Sequence, residues 1–216
     1  MATAAFILIA YLIGSLSFAV IVSRAFALPD PRSYGSGNPG ATNVLRTGKK
    51  LAAVLTLIGD GGKGWLAVFL ATRYAADYGL DATGVAACAV AVFFGHLFPV
   101  FFGFKGGKGV STAGGILLAI HPWLGLATLA TWIIVALLFR YSSLAAVVAA
   151  VFAPVYAFFM SRLGFDLGST FPAVVLMSAL LVWRHKNNIL NLAAGRESKI
   201  GEKKDSGSRI QDQGSG

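Results

Sequence analysis

The sequence predicts an all-α fold: a polytopic integral membrane bundle of about seven transmembrane helices. Three observations lead there. Hydrophobic residues fill 56% of the 216 positions and charged residues only 12%, against roughly 25% charged in a soluble domain. Mean hydropathy is +0.71. Apolar runs near spanning length recur along the chain, separated by short polar segments. In so apolar a chain, the net charge of +9 points to the positive-inside bias and to anionic ligands or lipids, not to nucleic acid.

The first span is expected at about Ala4–Leu28. It is too long for a signal-peptide core and lacks a basic leader, so it reads as a retained helix. The second, about Leu51–Thr72, is interrupted by Gly59-Asp60-Gly61-Gly62-Lys63-Gly64. The third runs about Gly84–Phe102. A short element follows at Val110–Ile120, then Pro122–Phe139, Ser143–Ser161 and Thr170–Trp183. Residues 1–197 form one membrane domain, and the polar stretch 198–216 has too little apolar surface to fold, so disorder is expected there.

Charge sets the orientation. With the first polar loop inside, the inner segments hold Arg24, Arg32, Arg46, Lys49, Lys50, Lys105, Lys108, Arg140, Arg184, Lys186 and the basic tail. The outer loops hold only Arg73 and Arg162, with Asp77, Asp81 and Asp166. The N-terminus is then outside and the C-terminus cytoplasmic. Three polar segments share the cytoplasmic side, provided the short Val110–Ile120 element crosses.

The first of these segments runs from Gly35-Ser36-Gly37-Asn38 through Thr42 and Asn43 to Arg46. Its backbone cannot face lipid unpaired. Glycine-rich N–H groups, hydroxyls, amides and an arginine suit an oxyanion. A simple Gly-Asn-Pro turn would not need so many donors and acceptors. The second segment, Lys105-Gly106-Gly107-Lys108-Gly109, offers the same chemistry just before a helix N-terminus. It is not a Walker motif, because Gly109 follows Lys108; its plainer reading is a lysine anchor at the headgroups. The third, His185-Lys186-Asn187-Asn188, offers a general base or phosphate ligand in His185, or a merely interfacial histidine.

Other residues read as support. Asp60 and Lys63 are intramembrane charges at i,i+3 spacing, suited to function or to a mutual ion pair on a glycine-rich packing face. Arg140-Tyr141-Ser142-Ser143 is a short inner turn that could add donors or serve only as a loop anchor. Glu197 reads as structural, as do His96, expected to bond a neighbour, and His121. The single cysteine, Cys88, excludes an intrachain disulfide. Scattered histidines and few acids make no metal site, and no cofactor is expected. No His-x-x-x-x-Asp dyad, G-x-S-x-G elbow or carboxylate pair occurs.

Together the three segments resemble the bacterial acyl-phosphate:glycerol-3-phosphate acyltransferase family (the PlsY family). The similarity spans Tyr11-Leu12-Ile13-Gly14-Ser15 to Glu197 and includes Gly95-His96-Leu97-Phe98-Pro99, Asp60-x-x-Lys63-Gly64, Arg140-Tyr141-x-Ser143-Leu144 and His185-x-x-Asn188-Ile189. Asn191 departs from the third motif, where the family has Arg, and Ser111 from the second, where it has Ala. The resemblance implies transfer of an acyl group from acyl phosphate to the 1-hydroxyl of sn-glycerol 3-phosphate, giving lysophosphatidic acid and phosphate, an early step of phospholipid synthesis in the bacterial inner membrane. It implies Ser36, Arg46, His185 and Asn188 as catalytic. It places Asn38, Thr42, Asn43, Lys105, Gly106, Gly107, Lys108, Gly109 and Ser143 around substrate phosphate, with Asp60, Lys63 and Glu197 in support. The partners are these two substrates and membrane lipid. The competing class is an organic-phosphate transporter, which would depend on Asp60 and Lys63 and not on the loops. A purely structural scaffold leaves the clustered donors unexplained.

Overall fold

The computed structural model describes residues 1–165, 167 and 169–201, and among these the secondary structure is entirely helical. In chain order the helices are α1 (Ala2–Gly14), α2 (Phe18–Ala25), α3 (Ala41–Leu45), α4 (Lys50–Tyr78), α5 (Ala82–Leu97), α6 (Val110–Ile120), α7 (Pro122–Phe139), α8 (Ser142–Arg162), α9 (Thr170–Arg184) and α10 (Lys186–Ala193). A 3-10 turn, Val100–Phe102, follows α5. Asp166 and residues 202–216 of the expected tail lie outside the described residues.

Among the described residues, four helical segments are long and apolar enough to cross a membrane: Lys50–Tyr78, Ala82–Phe102, Pro122–Phe139 and Ser142–Arg162. The pair α1 and α2 makes a fifth if it is one broken span, bent by 42°. Helices α6 and α9 are apolar but shorter.

Two elements differ from the sequence expectation. The first span is not one helix but two, broken at Ser15-Leu16-Ser17. Ser15 Oγ donates to the Tyr11 carbonyl (2.9 Å), and the freed Leu16 carbonyl accepts from Lys63 Nζ at 2.5 Å. A cation from a neighbouring helix thus satisfies the backbone group that the break exposes. The second span is not interrupted: α4 runs 29 residues straight through Gly59–Gly64. Its glycines bring neighbours close. A Cβ at Gly59 would strike the Phe18 ring, and one at Gly64 the Thr112 carbonyl.

Small residues set the packing of the bundle. Across the α4–α6 seam, a Cβ on Gly115 would collide with the Gly61 carbonyl. Across α1 and α5, Gly14 and Gly95 meet the backbones of Val92 and Tyr11. The main core between α4, α5, α6, α8 and α9 holds Val68, Val92, Phe93, Leu97 and Ile116 fully buried. A second cluster of Leu124, Ala153, Ala157 and Val174 joins α7, α8 and α9. Asp81 caps α5 by accepting from Gly84 N–H (2.7 Å), and the His121 ring caps α7 by accepting from Trp123 N–H (3.3 Å).

Inside the bundle Lys63 Nζ lies 2.8 Å from Asp60 Oδ1, as the i,i+3 spacing suggested. The Asp60 main-chain carbonyl accepts from Thr112 Oγ1 (3.0 Å). Because that hydroxyl proton is committed, the His96 Nδ1–H donates to Thr112 Oγ1 (3.1 Å). His96 therefore bonds a neighbour, as expected.

The α4–α6 seam yields a test with its own control. Gly115→Ala should overpack the contact with Gly61 and cost about 1–3 kcal/mol, lowering the melting temperature in detergent. Gly114→Ala, at a position with nothing within 4 Å, should be neutral or slightly stabilising. Equal melting temperatures for the two variants would remove the close approach as a determinant of the fold.

Candidate active site

The three polar segments converge at one end of the bundle. They line a cleft of about 320 Å³ formed by Ser36, Gly37 and Asn38, by Gly106 and Lys108, and by Trp183, Arg184, Lys186 and Asn187. Residues about 70 and 150 positions apart are thus brought to one concave wall, which carries three cationic side chains and no carboxylate.

The first segment is folded by Asn43, which is 2% exposed. Its Nδ2 donates to the carbonyls of Pro31 (2.7 Å) and Tyr34 (3.2 Å), and its Oδ1 accepts from Ser36 N–H (3.1 Å). Asn43, expected at phosphate, instead holds the loop that presents Ser36 and Asn38. Gly35 and Gly37 take left-handed backbone at φ 58° and 67°. Arg32 ties the loop to the second segment: it grips Asp30 through Nε (2.9 Å) and Nη2 (2.6 Å) and reaches the Phe102 carbonyl (3.3 Å). That guanidinium holds the Asp30 carboxyl below its usual range, against the opposing effect of burial. Thr42 shares a 3.1 Å hydrogen bond with Ser142, so its hydroxyl meets the α7–α8 turn. Arg46 is exposed and donates to Ser198 Oγ (3.2 Å).

The second segment leaves the Val100–Phe102 turn and enters α6. Gly107 N–H donates to the His96 carbonyl (3.2 Å), and a Cβ on Gly106 or Gly107 would strike His96. Gly109, at φ 87°, immediately precedes α6, so Lys108 stands at a helix N-terminus. Burial pulls the Lys108 ammonium below its ordinary pKa, with Glu197 opposing and Arg184 and Arg46 reinforcing. Its Nζ donates to Asn188 Oδ1 at 2.6 Å. Lys105 is exposed and outside the cleft lining.

From the third segment, Asn188 continues the chain of bonds, its Nδ2 donating to Glu197 Oε1 (2.7 Å). The same carboxylate oxygen accepts from Ser143 Oγ (2.6 Å). Lys108, Asn188, Glu197 and Ser143 are therefore one connected network, and Glu197 orients both partners of α8 and α10. His185 is 3% exposed, and its Nδ1 lies 2.8 Å from the Leu181 carbonyl. A carbonyl only accepts, so Nδ1 carries the proton and Nε2 is left as the acceptor. Burial, reinforced by the Lys108 and Arg184 charges, lowers the His185 pKa to about 4. The imidazole is neutral at physiological pH.

Trp183 and Arg184 both line the cleft and escaped the sequence reading of the site. Arg184 counted there only as an inner charge, yet it lines the cleft, and its Nη2 donates to the carbonyls of Gly106 and Gly107 at 2.9 Å each. Its place beside His185 in the same polar segment was the available signal. The C-terminal residues also join the site. Ile200 N–H donates to the Arg140 carbonyl (2.7 Å), and Lys199 Nζ lies 5.8 Å from the Tyr141 ring centre. Ser198, Lys199 and Ile200, at the start of the expected tail, make contacts with Arg46, Tyr141 and Arg140.

The family described as glycerol-3-phosphate acyltransferase matches residues 4–195 of the chain. A glycerol-3-phosphate acyltransferase of Cupriavidus pinatubonensis is 63% identical over 204 residues, covering 94% of this chain and 99% of its own. One from Paraburkholderia phytofirmans is 65% identical over 196 residues, covering 91% and 90%. Among solved structures, the fold is similar to that of PlsY, an integral membrane glycerol 3-phosphate acyltransferase. Its glycerol 3-phosphate form superposes with a TM-score of 0.83 at 35% identity, covering 93% of this chain and 96% of that one. Its lysophosphatidic acid form gives 0.82 at 34% identity over the same shares. By sequence and by fold alike, this chain belongs to the glycerol-3-phosphate acyltransferase family.

Proposed function

We propose that the protein transfers an acyl group from acyl phosphate to the 1-hydroxyl of sn-glycerol 3-phosphate, releasing lysophosphatidic acid and inorganic phosphate. The observation that carries this reading is the convergence of the three polar segments on one cationic cleft. Each substrate carries a phosphate, and a wall bearing Lys108, Arg184 and Lys186 without a carboxylate offsets their mutual repulsion. The names of the related proteins supply the acceptor and the product class. The donor is the one the family resemblance implies, and the chemistry agrees with it: an acyl phosphate is a mixed anhydride whose leaving group needs charge neutralisation more than protonation.

In this reading Lys108, at the N-terminus of α6, and Arg46 neutralise phosphate, and Lys105 adds to the field that draws anions in. The Gly106–Gly109 loop receives glycerol 3-phosphate. Ser36 and Asn38 orient a phosphoryl group, with Thr42 and Ser143 bordering the loops that hold it. The 1-hydroxyl oxygen attacks the acyl carbon, the bond from that carbon to the bridging oxygen breaks, and phosphate departs with the electron pair. The hydroxyl proton passes to His185 Nε2 or to a phosphate oxygen. Transfer is direct, and trapping an acyl group on Ser36 during turnover would refute that route. Seven crossings, with α6 and α9 counted as spans, put the N-terminus outside and the cleft on the cytoplasmic face of the bacterial inner membrane. The acyl chain then enters from the inner leaflet, and the residues from 198 onward form a cytoplasmic tail.

Purified protein in lipid should make lysophosphatidic acid from acyl phosphate and labelled glycerol 3-phosphate, and none from acyl-coenzyme A. Labelled glycerol phosphate accumulating inside sealed vesicles without product would favour a transporter. Lys108→Met should reduce kcat/KM by about 10²–10³-fold, the usual effect of losing one preorganised charge partner; undiminished turnover would exclude Lys108 from the reaction. His185 gives a pH prediction. Its folded pKa, about 4, lies below the unfolded value of about 6.5. The unfolded chain therefore binds more protons between these values, and stability is full above the upper one and lost as pH falls toward the lower. The melting temperature should drop between pH 7 and 4.5, and His185→Gln should flatten that slope. An unchanged slope in the variant would place the imidazole in contact with solvent.

A further inference from the structure

We propose that Arg184 is a positioning residue: it clamps the Gly106–Gly107 peptides so that the loop holds the shape that receives glycerol 3-phosphate and aims Lys108 into the cleft. This rests on the acyltransferase reading above.

Two adjacent glycines have no side chains to fix them, and each peptide plane between them can rotate at little steric cost. From one side the loop is seated on the end of α5. Gly107 N–H donates to the His96 carbonyl (3.2 Å), and His96 leaves no room for a Cβ at either glycine. From the other side Arg184, at the end of α9, donates from Nη2 to both carbonyls at 2.9 Å. The Gly106–Gly107 peptide is thus gripped by its N–H on one side and its C=O on the other. Because that peptide is planar, the two bonds together fix its orientation.

The same contact solves an electrostatic problem. Two backbone carbonyls at the wall of an anion cleft present partial negative charge to an incoming phosphate. A guanidinium bonded to both cancels that charge and leaves the wall net positive. The guanidinium also lies over the Phe98 ring, its carbon 5.7 Å from the ring centre. A lysine would keep the charge but lose the planar group that stacks on Phe98.

The test compares steady-state kinetics of wild type, Arg184→Lys and Arg184→Gln in lipid, varying glycerol 3-phosphate and acyl donor separately. The clamp predicts that both variants raise KM for glycerol 3-phosphate about tenfold, which corresponds to about 1.4 kcal/mol. KM for the donor should stay within about twofold. Arg184→Lys should do no better than Arg184→Gln, because charge without the planar group does not hold the loop. A general structural role lowers the active fraction, and so the apparent kcat, while leaving both KM values in place; that pattern overturns the proposal. Equal rises in both KM values overturn it too. Should neither variant fold, Phe98→Leu removes the stacking face but keeps the guanidinium, and a selective rise in the same KM, or its absence, decides the matter. A wild-type protein that makes no lysophosphatidic acid defeats the acyltransferase reading. An active wild type with an unselective Arg184 variant defeats the clamp alone.

Discussion

The ion pair between Lys63 and Asp60 is the constraint on which the bundle depends. Both side chains are nearly inaccessible, at 2% and 3% exposed. Two charges in the interior of an apolar bundle persist only where neighbouring groups support them. Here the partners come from three other elements. Lys63 completes the broken carbonyl at Leu16. Thr112 of α6 bonds the Asp60 backbone, and His96 of α5 bonds Thr112. Removing either charge would strand the other, and removing Lys63 would also leave the Leu16 carbonyl at the α1–α2 break without its donor.

From this node the architecture extends to the cleft. His96 belongs to the buried cluster through its ring and to the glycine loop through its carbonyl. The end of α5 is therefore fixed from within the bundle and in turn seats Gly107. Arg184 closes the loop from α9, and Glu197 joins Asn188 to Ser143 across α10 and α8. Flexible glycine backbone becomes a defined surface because rigid helices hold it on each side.

The membrane class and the polar segments that meet at the cleft were legible because polar residues in an apolar chain stand out. Ser36, Lys108 and Asn188 sit in short donor-rich segments, and lipid forbids such segments unless they line a cavity or reach water. The charge pair at Asp60 and Lys63 was legible for the same reason. What was not legible depends on partners distant in sequence. Nothing local marks Ser15-Leu16-Ser17 as a break, because the residue that makes it tolerable is Lys63. Gly59 to Gly64 looked like an interruption, since glycine disfavours helix in isolation; close contact with Phe18 and α6 outweighs that preference. Asn43 read as a ligand-type amide, but its environment turned it inward. Arg184 was hidden by its position at a helix end, where an arginine is unremarkable.

The bond from Arg46 to Ser198 joins residues 152 positions apart, and it is accompanied by Glu197 on Ser143 and Ile200 on Arg140. Synthesis proceeds from the N-terminus, so the first loop is made long before the residues that meet it. A chain emerging from the ribosome carries its arginine unsecured and its Lys108–Asn188 link unmade until the last helices have been inserted. The cleft thus comes together only in a finished polypeptide, and a prematurely ended one presents lone cations without the frame that aims them.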